Sequence, residues 1–305
     1  MSPAPPRGPG MSQARSLSLI LAAVLASLLP VTGSQAGEPG RALWVMSYNI
    51  RYDNPDDRPD WRTRRGPMVE QIRFFAPDIL GLQEALPAMV DQLAGDLAGY
   101  AHYGVGRDDG ARLGETTTIF YRAERFQRVL ARTYWCSPTP DTPSKAYDAA
   151  LPRTFTRLVL KDRITGVTFD VRNAHLDHVG AESRAKCAAQ ILALAPWPKA
   201  RLITLGDFNS APEEAPYRLL TAPEGPYRDA RAAASSVFSP STGTFNRFTP
   251  ASIGPPIDYI FVDRRLNVAR FAVPTDVADA GVISDHFPVL AEITLSPKTR
   301  AKAKP

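Results

Sequence analysis

Short apolar runs alternate along the chain with segments in which apolar residues recur every three or four positions. The short runs predict strands over residues 42–48, 79–83, 117–121, 155–160, 168–174, 202–205, 259–262 and 289–295. The helical spacing predicts helices over residues 61–75, 86–97 and 181–194. Because strands and helices are intermixed, we predict an α/β domain with sheets inside and helices outside.

The first 36 residues differ from the rest of the chain. Arg15 precedes an apolar run over residues 17–29, and small residues follow as far as Ala36. This order predicts a secretory signal peptide, residues 1–36, that is removed after Ala36. The alternatives are a buried first helix and an uncleaved anchor, although the run is short for a membrane span. We therefore expect an exported protein, periplasmic or secreted.

Basic residues are concentrated at the two ends of the chain. Of the formal net charge of +5, the predicted signal peptide contributes two positive charges and residues 297–305 contribute four, which leaves −1 on residues 37–296. Nucleic acid attracts proteins that carry basic surfaces, so this charge does not favour a nucleic-acid partner. We expect one domain over residues 37–296, followed by a disordered basic tail, residues 297–305.

The two cysteines, Cys136 and Cys187, are too few for a disulfide scaffold. An exported protein could join them in one bridge, but two separate buried thiols fit the sequence equally well. No CxxC or HxxxH spacing accompanies them, so a zinc site is not expected.

Polar side chains stand where four of the predicted strands end or begin. Each such segment alone fits a tight turn or a solvated strand end. Together, their carboxylate and amide oxygens suit Mg²⁺ or Mn²⁺, and an imidazole can transfer protons near neutral pH. Glu84 is the best candidate to bind the metal directly. The segments are Ser47-Tyr48-Asn49, Leu82-Gln83-Glu84, Gly206-Asp207-Phe208-Asn209 and Ser284-Asp285-His286.

The motifs MSYNI, LQE, NAHLDH, GDFN, IDYIF and SDHFPV occur in this order between residues 43 and 295. This series resembles the endonuclease/exonuclease/phosphatase superfamily, which includes deoxyribonuclease I. The resemblance implies a four-layered α/β sandwich, in which two packed mixed β-sheets are flanked by helices. It also implies hydrolysis of phosphoesters with Mg²⁺ or Mn²⁺ as cofactor.

Carried over residue by residue, the resemblance implies two groups of site residues, in which Asp258 pairs with and orients His286. The residues with implied catalytic roles are His175, Asp207, Asn209, Asp258 and His286. The residues implied to bind metal are Glu84, Asn49 and Asp285.

The pieces RYDNPDD, GVGRDDG, GETTTIFYR, DAALPRTFTR and GTFN resemble an exported bacterial subgroup of that superfamily. They suggest Arg107 and Arg153 as phosphate clamps, since a guanidinium can hold two phosphate oxygens. Asp177 and His178 are further candidates for substrate binding. Strand alternation would place Asp177 on the face of His175 and His178 on the opposite face. Glu115, Asp148 and Asn246 could face the same cleft.

Four functions compete at this stage. The first is metal-dependent hydrolysis of a phosphorylated small molecule or phosphodiester by a monomer, through in-line attack of water on phosphorus. The second is an extracellular nuclease, which would need a groove lined by basic residues. The third is a lipid phosphodiesterase, which would need an exposed apolar loop. The fourth is a non-catalytic binding protein on the same fold.

Overall fold

A computed structural model describes residues 42–279 and 281–295. The predicted signal peptide and the predicted basic tail lie outside these residues. The strands are β1 (Ala42–Asn49), β2 (Ile79–Gln83), β3 (Tyr100–Tyr103), β4 (Ile119–Arg122), β5 (Phe126–Trp135), β6 (Thr154–Asp162), β7 (Thr168–His175), β8 (Arg201–Asp207), β9 (Tyr227–Asp229), β10 (Ala234–Phe238), β11 (Asp258–Asp263), β12 (Asn267–Ala272), β13 (Val277–Ala278), β14 (Gly281–Val282) and β15 (Val289–Thr294). The helices are α1 (Trp61–Phe75), α2 (Pro87–Asp96), α3 (Ala181–Ala193), α4 (Ala215–Leu220) and α5 (Ala230–Ala233).

Two mixed sheets pack face to face. The first has the strand order β10-β12-β15-β1-β2-β4-β3 and the second the order β5-β6-β7-β8-β11-β9. Apolar side chains from both sheets, such as Val45 and Leu205, form the core between them. Helices α1 and α2 cover the outer face of the first sheet, and α3 covers the outer face of the second. The predicted four-layered α/β sandwich is confirmed.

All eight predicted strands and all three predicted helices are present, with ends that differ by at most two residues. Local sequence explains the ends of α1. The Asp60 side chain accepts a hydrogen bond from the backbone N–H of Thr63, as a helix N-cap does. At the other end, Ala76 adopts a left-handed conformation and its N–H bonds to the carbonyl oxygen of Ile72.

The sequence pattern missed strands that lie mainly at the edges of the sheets. β3 and β10 are the edges of the first sheet, and β5 and β9 are the edges of the second. An edge strand is covered on fewer sides, so its apolar residues do not form a continuous run. In β5, for example, residues 127–129 are exposed although Tyr134 and Trp135 are buried.

A polar contact joins the sheets beneath the site described below. The Gln83 side-chain amide donates to the Asn173 side-chain oxygen over 2.6 Å, and the Asn173 amide donates to the Leu82 carbonyl oxygen over 2.8 Å. Gly81 allows this approach, because a Cβ there would lie 2.7 Å from Leu205 and 2.8 Å from Asn173. These contacts fix the position of β2 in one sheet relative to β7 in the other.

Cys136, directly after β5, forms a disulfide bond with Cys187 on α3. The sequence left open either one disulfide bridge or two separate thiols, and the structure shows the bridge. None of the helices among the described residues is long and apolar enough to cross a membrane.

Candidate active site

The ends of strands from both sheets meet at one edge of the sandwich. Strands β1 and β2 are parallel, as are β7 and β8, so their carboxyl ends lie at the same edge. Strand β11 runs antiparallel to β8 and begins there, with Asp258 opposite Asp207. Strand β15 is antiparallel to β1, which brings the preceding residues, Asp285 and His286, to that edge too. The topology therefore gathers residues that are far apart in sequence.

These strand ends surround a cavity of about 320 Å³. Its lining combines acidic groups, guanidiniums, imidazoles and a few apolar side chains. The lining residues are Arg51, Tyr52, Glu84, Glu115, Leu151, Arg153, His175, His178, Asp207, Asn209, Phe245, Asp285 and His286.

Asn49 connects two carboxylates from different sheets. Its side-chain amide donates to Glu84 Oε1 over 3.0 Å and to Asp207 Oδ2 over 2.9 Å. Its side-chain oxygen, the atom that could bind a metal, accepts a hydrogen bond from the backbone N–H of Arg51. In this structure the Asn49 side chain therefore holds Glu84 and Asp207 in place.

Glu84 directly follows β2 with a φ of +61°. Such a left-handed conformation is costly for a residue with a side chain and often marks functional sites. Oε2 of Glu84 accepts a long hydrogen bond, 3.3 Å, from the backbone N–H of Tyr52. It also lies 3.9 Å from a guanidinium nitrogen of Arg51. The carboxylate is therefore held from both sides while it faces the cavity.

His286 and Asp258 form a buried pair. Nδ1 of His286 lies 2.9 Å from Oδ2 of Asp258. Burial alone lowers the pKa of His286, but the negative charges of Asp258 and Asp207 outweigh this effect and raise the pKa. The ring of Phe245 packs against the imidazole at a centroid distance of 5.0 Å. The imidazole is consequently fixed in orientation and stabilised in its protonated form.

Asp207 occupies the centre of the site. Its Oδ2 lies 3.7 Å from Nε2 of His175 and 3.8 Å from Nε2 of His286. Its Oδ1 accepts the backbone N–H of Asn209, which has a φ of +46°. Burial and the neighbouring charge of Asp258 raise the pKa of Asp207. This carboxylate is thus a better proton acceptor than an exposed aspartate.

Arg153 organises the opposite wall of the cavity. Its Nη1 lies within 3.1 Å of both ring nitrogens of His175, and its Nη2 donates to Nδ1 of His178 over 2.8 Å. Its Nε donates to Asp177. Burial and the positive charges of Arg153 and Arg107 hold the pKa of His175 well below its usual value. His175 is therefore neutral.

The structure places Asp177 and His178 differently from the expectation. Strand β7 ends at His175, so strand alternation does not apply to the residues that follow. His178 lines the cavity next to Arg153. The fully buried carboxylate of Asp177 instead accepts backbone N–H groups of residues 150, 151, 179 and 180. Asp177 thus holds Arg153 and its loop rather than facing substrate.

Three other candidates also lie away from the main cavity. Arg107 bonds to Glu115 over 2.6 Å and lines a side recess. Asp148 accepts the backbone N–H groups of Glu182 and Ser183 at the start of α3. Asn246 is buried beside the Asp285 backbone.

Sequence reasoning did not single out Arg51, Tyr52 and Phe245 as site residues. Arg51 lies two residues beyond Asn49, the last residue of β1. This position just after a strand end could have identified it as a site residue. A single buried side chain, Arg64 on α1, donates to the carbonyl oxygens of Ile50 and Arg51 and so shapes this loop. No sequence pattern identifies such a contact across 13 residues.

The lining carries more negative than positive fixed charge. Four carboxylates face two guanidiniums in the cavity, and burial raises the pKa of Asp285, as does the charge of Glu84. Asp207, Asp258 and His286 also offer ligand atoms that lie within 4.8 Å of one another. Hard oxygen donors with excess negative charge fit a divalent cation. Asp258 already bonds to His286, whereas Glu84 and Asp285 line the cavity, so the latter two are better placed to hold such an ion.

Comparison with known proteins agrees with this geometry. The sequence profile of the Endonuclease/Exonuclease/phosphatase family matches residues 46–286. The chain belongs to this family. Members of the endonuclease/exonuclease/phosphatase family are hydrolases that act on phosphoester bonds and are typically dependent on divalent metals. Comparison with curated proteins gave no match.

Several solved structures of the family resemble this chain. A mannosyl-6-phosphatase from Bacteroides thetaiotaomicron is 34% identical, with a TM-score of 0.78, covering 83% of this chain and 100% of that chain. An endonuclease/exonuclease/phosphatase family protein from the same species is 33% identical, with a TM-score of 0.80, covering 84% and 98%. The human Nocturnin catalytic domain is 20% identical, with a TM-score of 0.63, covering 84% and 95%. The last similarity shows the fold alone.

Proposed function

We propose that this chain is a Mg²⁺- or Mn²⁺-dependent phosphatase that hydrolyses a small phosphorylated molecule, with sugar phosphates as the leading class. One observation carries the proposal. Asn49 joins Glu84 and Asp207 in the same cavity that holds the His286–Asp258 pair. In this proposal Glu84 binds the metal, Asp207 accepts a proton and His286 provides a protonated imidazole, all around one space.

Glu84, with Asp285 beside it, would hold the metal. When bound, the metal ion supplies positive charge that polarises the phosphoryl oxygens and offsets the charge that develops at phosphorus. Arg51 lies 3.9 Å from both Glu84 and Asp285, so its guanidinium neutralises part of their charge and limits their movement. Asn49 fixes the orientation of Glu84 through its side-chain amide.

Asp207 and Asn209 orient the attacking water, and Asp207 accepts its proton. The amide of Asn209 donates to the Leu176 carbonyl oxygen, which leaves its side-chain oxygen for the cavity. His286, protonated and held by Asp258, donates to a phosphoryl oxygen. His175, neutral and within reach of Arg153, contacts the phosphate on the other side. As water attacks phosphorus from the side opposite the leaving oxygen, the bond between phosphorus and that oxygen breaks; the leaving oxygen takes up a proton from solvent, and an alcohol and phosphate are released.

Charge and relatives support a small substrate. Residues 37–296 have a formal charge of −1, whereas a nuclease groove needs basic residues that neutralise successive phosphates. The 34% identical structure from Bacteroides thetaiotaomicron is described as a mannosyl-6-phosphatase. A sugar phosphate is also of a size that a cavity of about 320 Å³ can receive.

We also propose that the mature protein is exported and acts as a monomer outside the cytoplasm. The order of residues 1–36 supports export. The Cys136–Cys187 disulfide supports it further, because disulfides persist in oxidising compartments. Expression in a bacterial host, followed by intact-mass measurement of the periplasmic fraction, tests the idea. A chain that begins at residue 37 is expected; an uncleaved cytoplasmic chain contradicts it.

A substrate panel tests the activity. The purified chain is incubated with mannose 6-phosphate, glucose 6-phosphate, a phosphodiester, plasmid DNA, RNA and phospholipid vesicles, with Mg²⁺ or Mn²⁺. We expect phosphate release from the sugar phosphates and none after chelation with EDTA. If DNA or RNA were cleaved faster than every monoester, the result would contradict the proposed phosphatase and favour a nuclease. Absence of cleavage across the panel would favour a binding protein.

A further inference from the structure

Glu115 is an acidic residue in a cavity proposed to bind phosphate. It immediately precedes the extension of β4 that pairs Thr116 with Ala85. The Thr116 N–H donates to the Ala85 carbonyl oxygen over 2.9 Å, and the Glu115 carbonyl oxygen accepts the Arg107 N–H over 3.0 Å. Backbone hydrogen bonds on both sides therefore fix the position of Glu115 next to the segment that carries Glu84.

The two carboxylate oxygens of Glu115 differ in their contacts. Oε2 accepts a hydrogen bond from Nη1 of Arg107 over 2.6 Å and lies 3.7 Å from Nδ1 of His175. Among the residues that the structure describes, none donates a hydrogen bond to Oε1. The side chain is 14% exposed and lines the cavity. Arg107 thus anchors one oxygen and leaves the other for a ligand.

A free carboxylate oxygen discriminates between the two parts of a phosphoester. It repels the anionic phosphoryl oxygens by charge, so the phosphate does not lie against Glu115. It accepts hydrogen bonds from hydroxyl groups, and a carboxylate is a stronger acceptor than a neutral oxygen. A site built to bind a hydroxyl group also rejects an analogue without one, because the buried acceptor would then stay unpaired.

Other residues that line the cavity suit the alcohol part of a sugar or polyol phosphate. Arg153 Nη2 donates to Nδ1 of His178. Because arginine cannot accept a hydrogen bond, Nδ1 is the acceptor and the ring N–H of His178 is on Nε2. His178 is exposed at the cavity and can donate through this atom. Leu151 adds apolar surface. An acceptor, donors and an apolar side chain together match a ring or chain that bears hydroxyl groups.

We propose that Glu115 is a specificity-determining residue whose Oε1 accepts a hydrogen bond from a hydroxyl group in the alcohol portion of the substrate. The enzyme therefore favours phosphorylated sugars and polyols over phosphoesters of simple alcohols. This inference rests on the proposed phosphatase function and deepens it by assigning the choice of alcohol to one side chain.

The test compares two phosphomonoesters with the same number of carbon atoms. Glycerol 3-phosphate carries two hydroxyl groups, whereas n-propyl phosphate carries none, and mannose 6-phosphate serves as a larger polyol. We expect wild type to favour the hydroxylated substrates in kcat/KM. Glu115→Ala should lower kcat/KM for them roughly ten- to hundredfold, the effect of losing one charged hydrogen bond, and change n-propyl phosphate turnover less than about threefold.

Two further variants control this result. Glu124→Ala removes an exposed glutamate just beyond the other end of β4 and should leave all rates unchanged. Glu115→Gln keeps the shape of the side chain, but Arg107 would take the amide oxygen and turn the NH₂ group toward the substrate. A hydroxyl group can still accept a hydrogen bond from this NH₂ group, but without the carboxylate charge the bond is weaker. We therefore expect this variant to prefer hydroxylated substrates less than wild type does, while keeping the melting temperature of wild type.

Four outcomes would overturn the inference. Equal loss of activity on both substrates in Glu115→Ala would assign Glu115 to catalysis or to positioning His175. A weaker apparent affinity for Mg²⁺, measured by titration of activity, would make it a metal ligand. Equal kcat/KM of the wild-type enzyme for glycerol 3-phosphate and n-propyl phosphate would show that it has no preference for hydroxylated substrates. Wild type that hydrolyses neither ester nor mannose 6-phosphate would overturn the proposed function and the inference with it.

Discussion

Nδ1 of His286 lies 2.9 Å from Oδ2 of Asp258, and the two residues come from the entry to β15 and the start of β11, on different sheets. The pair therefore depends on the packing of the sandwich. In this pair the N–H at Nδ1 of His286 donates to Asp258. The other ring nitrogen, Nε2, therefore faces the cavity and Asp207.

Loss of the imidazole should abolish most of the turnover. We expect His286→Ala to lower kcat roughly 10²–10⁴-fold, because no other group in the cavity replaces a proton donor held by Asp258. Asp258→Asn should lower kcat too, since the amide cannot stabilise the protonated imidazole. Steady-state kinetics on the best substrate of the panel measures both effects. His102→Ala, on β3 and outside the cavity, is the matched histidine control; wild-type turnover in His286→Ala would refute the assignment.

Removal of the Glu84 carboxylate should weaken metal binding. Glu84→Gln keeps the hydrogen bond that Asn49 can make to a side-chain oxygen, but it loses the negative charge that Mg²⁺ or Mn²⁺ requires. We expect at least a tenfold weaker affinity for Mn²⁺ in isothermal titration calorimetry, and lower kcat at saturating metal. Glu70→Gln, on the exposed side of α1, provides the control. Unchanged Mn²⁺ affinity in Glu84→Gln would mean that Glu84 is not a metal ligand and that the metal binds elsewhere.

Asp177 should stabilise the fold in a pH-dependent manner. Burial acts to raise its pKa, but backbone N–H groups of Gly180, Ala150 and Val179 outweigh burial and lower the pKa to about 2. A depressed carboxyl pKa adds stability that is complete above the unfolded pKa, near 4, and is lost as the pH falls through about 2. We expect Asp177→Asn to lower the free energy of unfolding by about 2 kcal/mol at pH 7.

Urea unfolding at several pH values measures this effect. The difference between wild type and Asp177→Asn should shrink as the pH is lowered from 5 to 3, because the wild-type carboxylate loses its advantage there. Asp141→Asn, at an exposed aspartate in the loop after β5, is the control for the substitution itself. A difference that stays constant with pH would mean that shape, and not charge, accounts for the role of Asp177.

The disulfide should contribute to stability through the loop that it closes. Cys136 and Cys187 are 51 residues apart in sequence, and a cross-link over such a loop typically stabilises a fold by about 2–4 kcal/mol. We expect the double substitution Cys136→Ser and Cys187→Ser to lower the midpoint of urea unfolding. Dithiothreitol should lower the midpoint of wild type and leave that of the double variant unchanged. Equal midpoints for all samples would contradict a bridge.

The repeating pattern of apolar residues was sufficient for the architecture. Strands such as β2 and β11 are buried on both faces, so they appear in the sequence as continuous apolar runs over residues 79–82 and 259–262. The edge strands β3, β5, β9 and β10 were missed because one side faces solvent or the strand is very short. Buried segments leave a signal in the sequence that exposed segments do not leave.

The identities of the strand-end residues also followed from sequence. Glu84, Asp207 and His286 stand directly beyond or before apolar strands, where a polar residue can face a shared cavity. Their motifs fall in the order typical of the family, whose profile spans residues 46–286. Sequence alone could therefore name polar residues that line the shared cavity.

Only the tertiary structure decided the role of each side chain. A carboxylate is chemically the same in Asp177, which is saturated by backbone N–H groups, and in Glu115, which has one oxygen free for a ligand. Likewise, Arg107 turns to Glu115 while Arg153 faces the cavity. These differences arise from contacts between residues that are distant in the chain, and such contacts leave no periodic signal in the sequence.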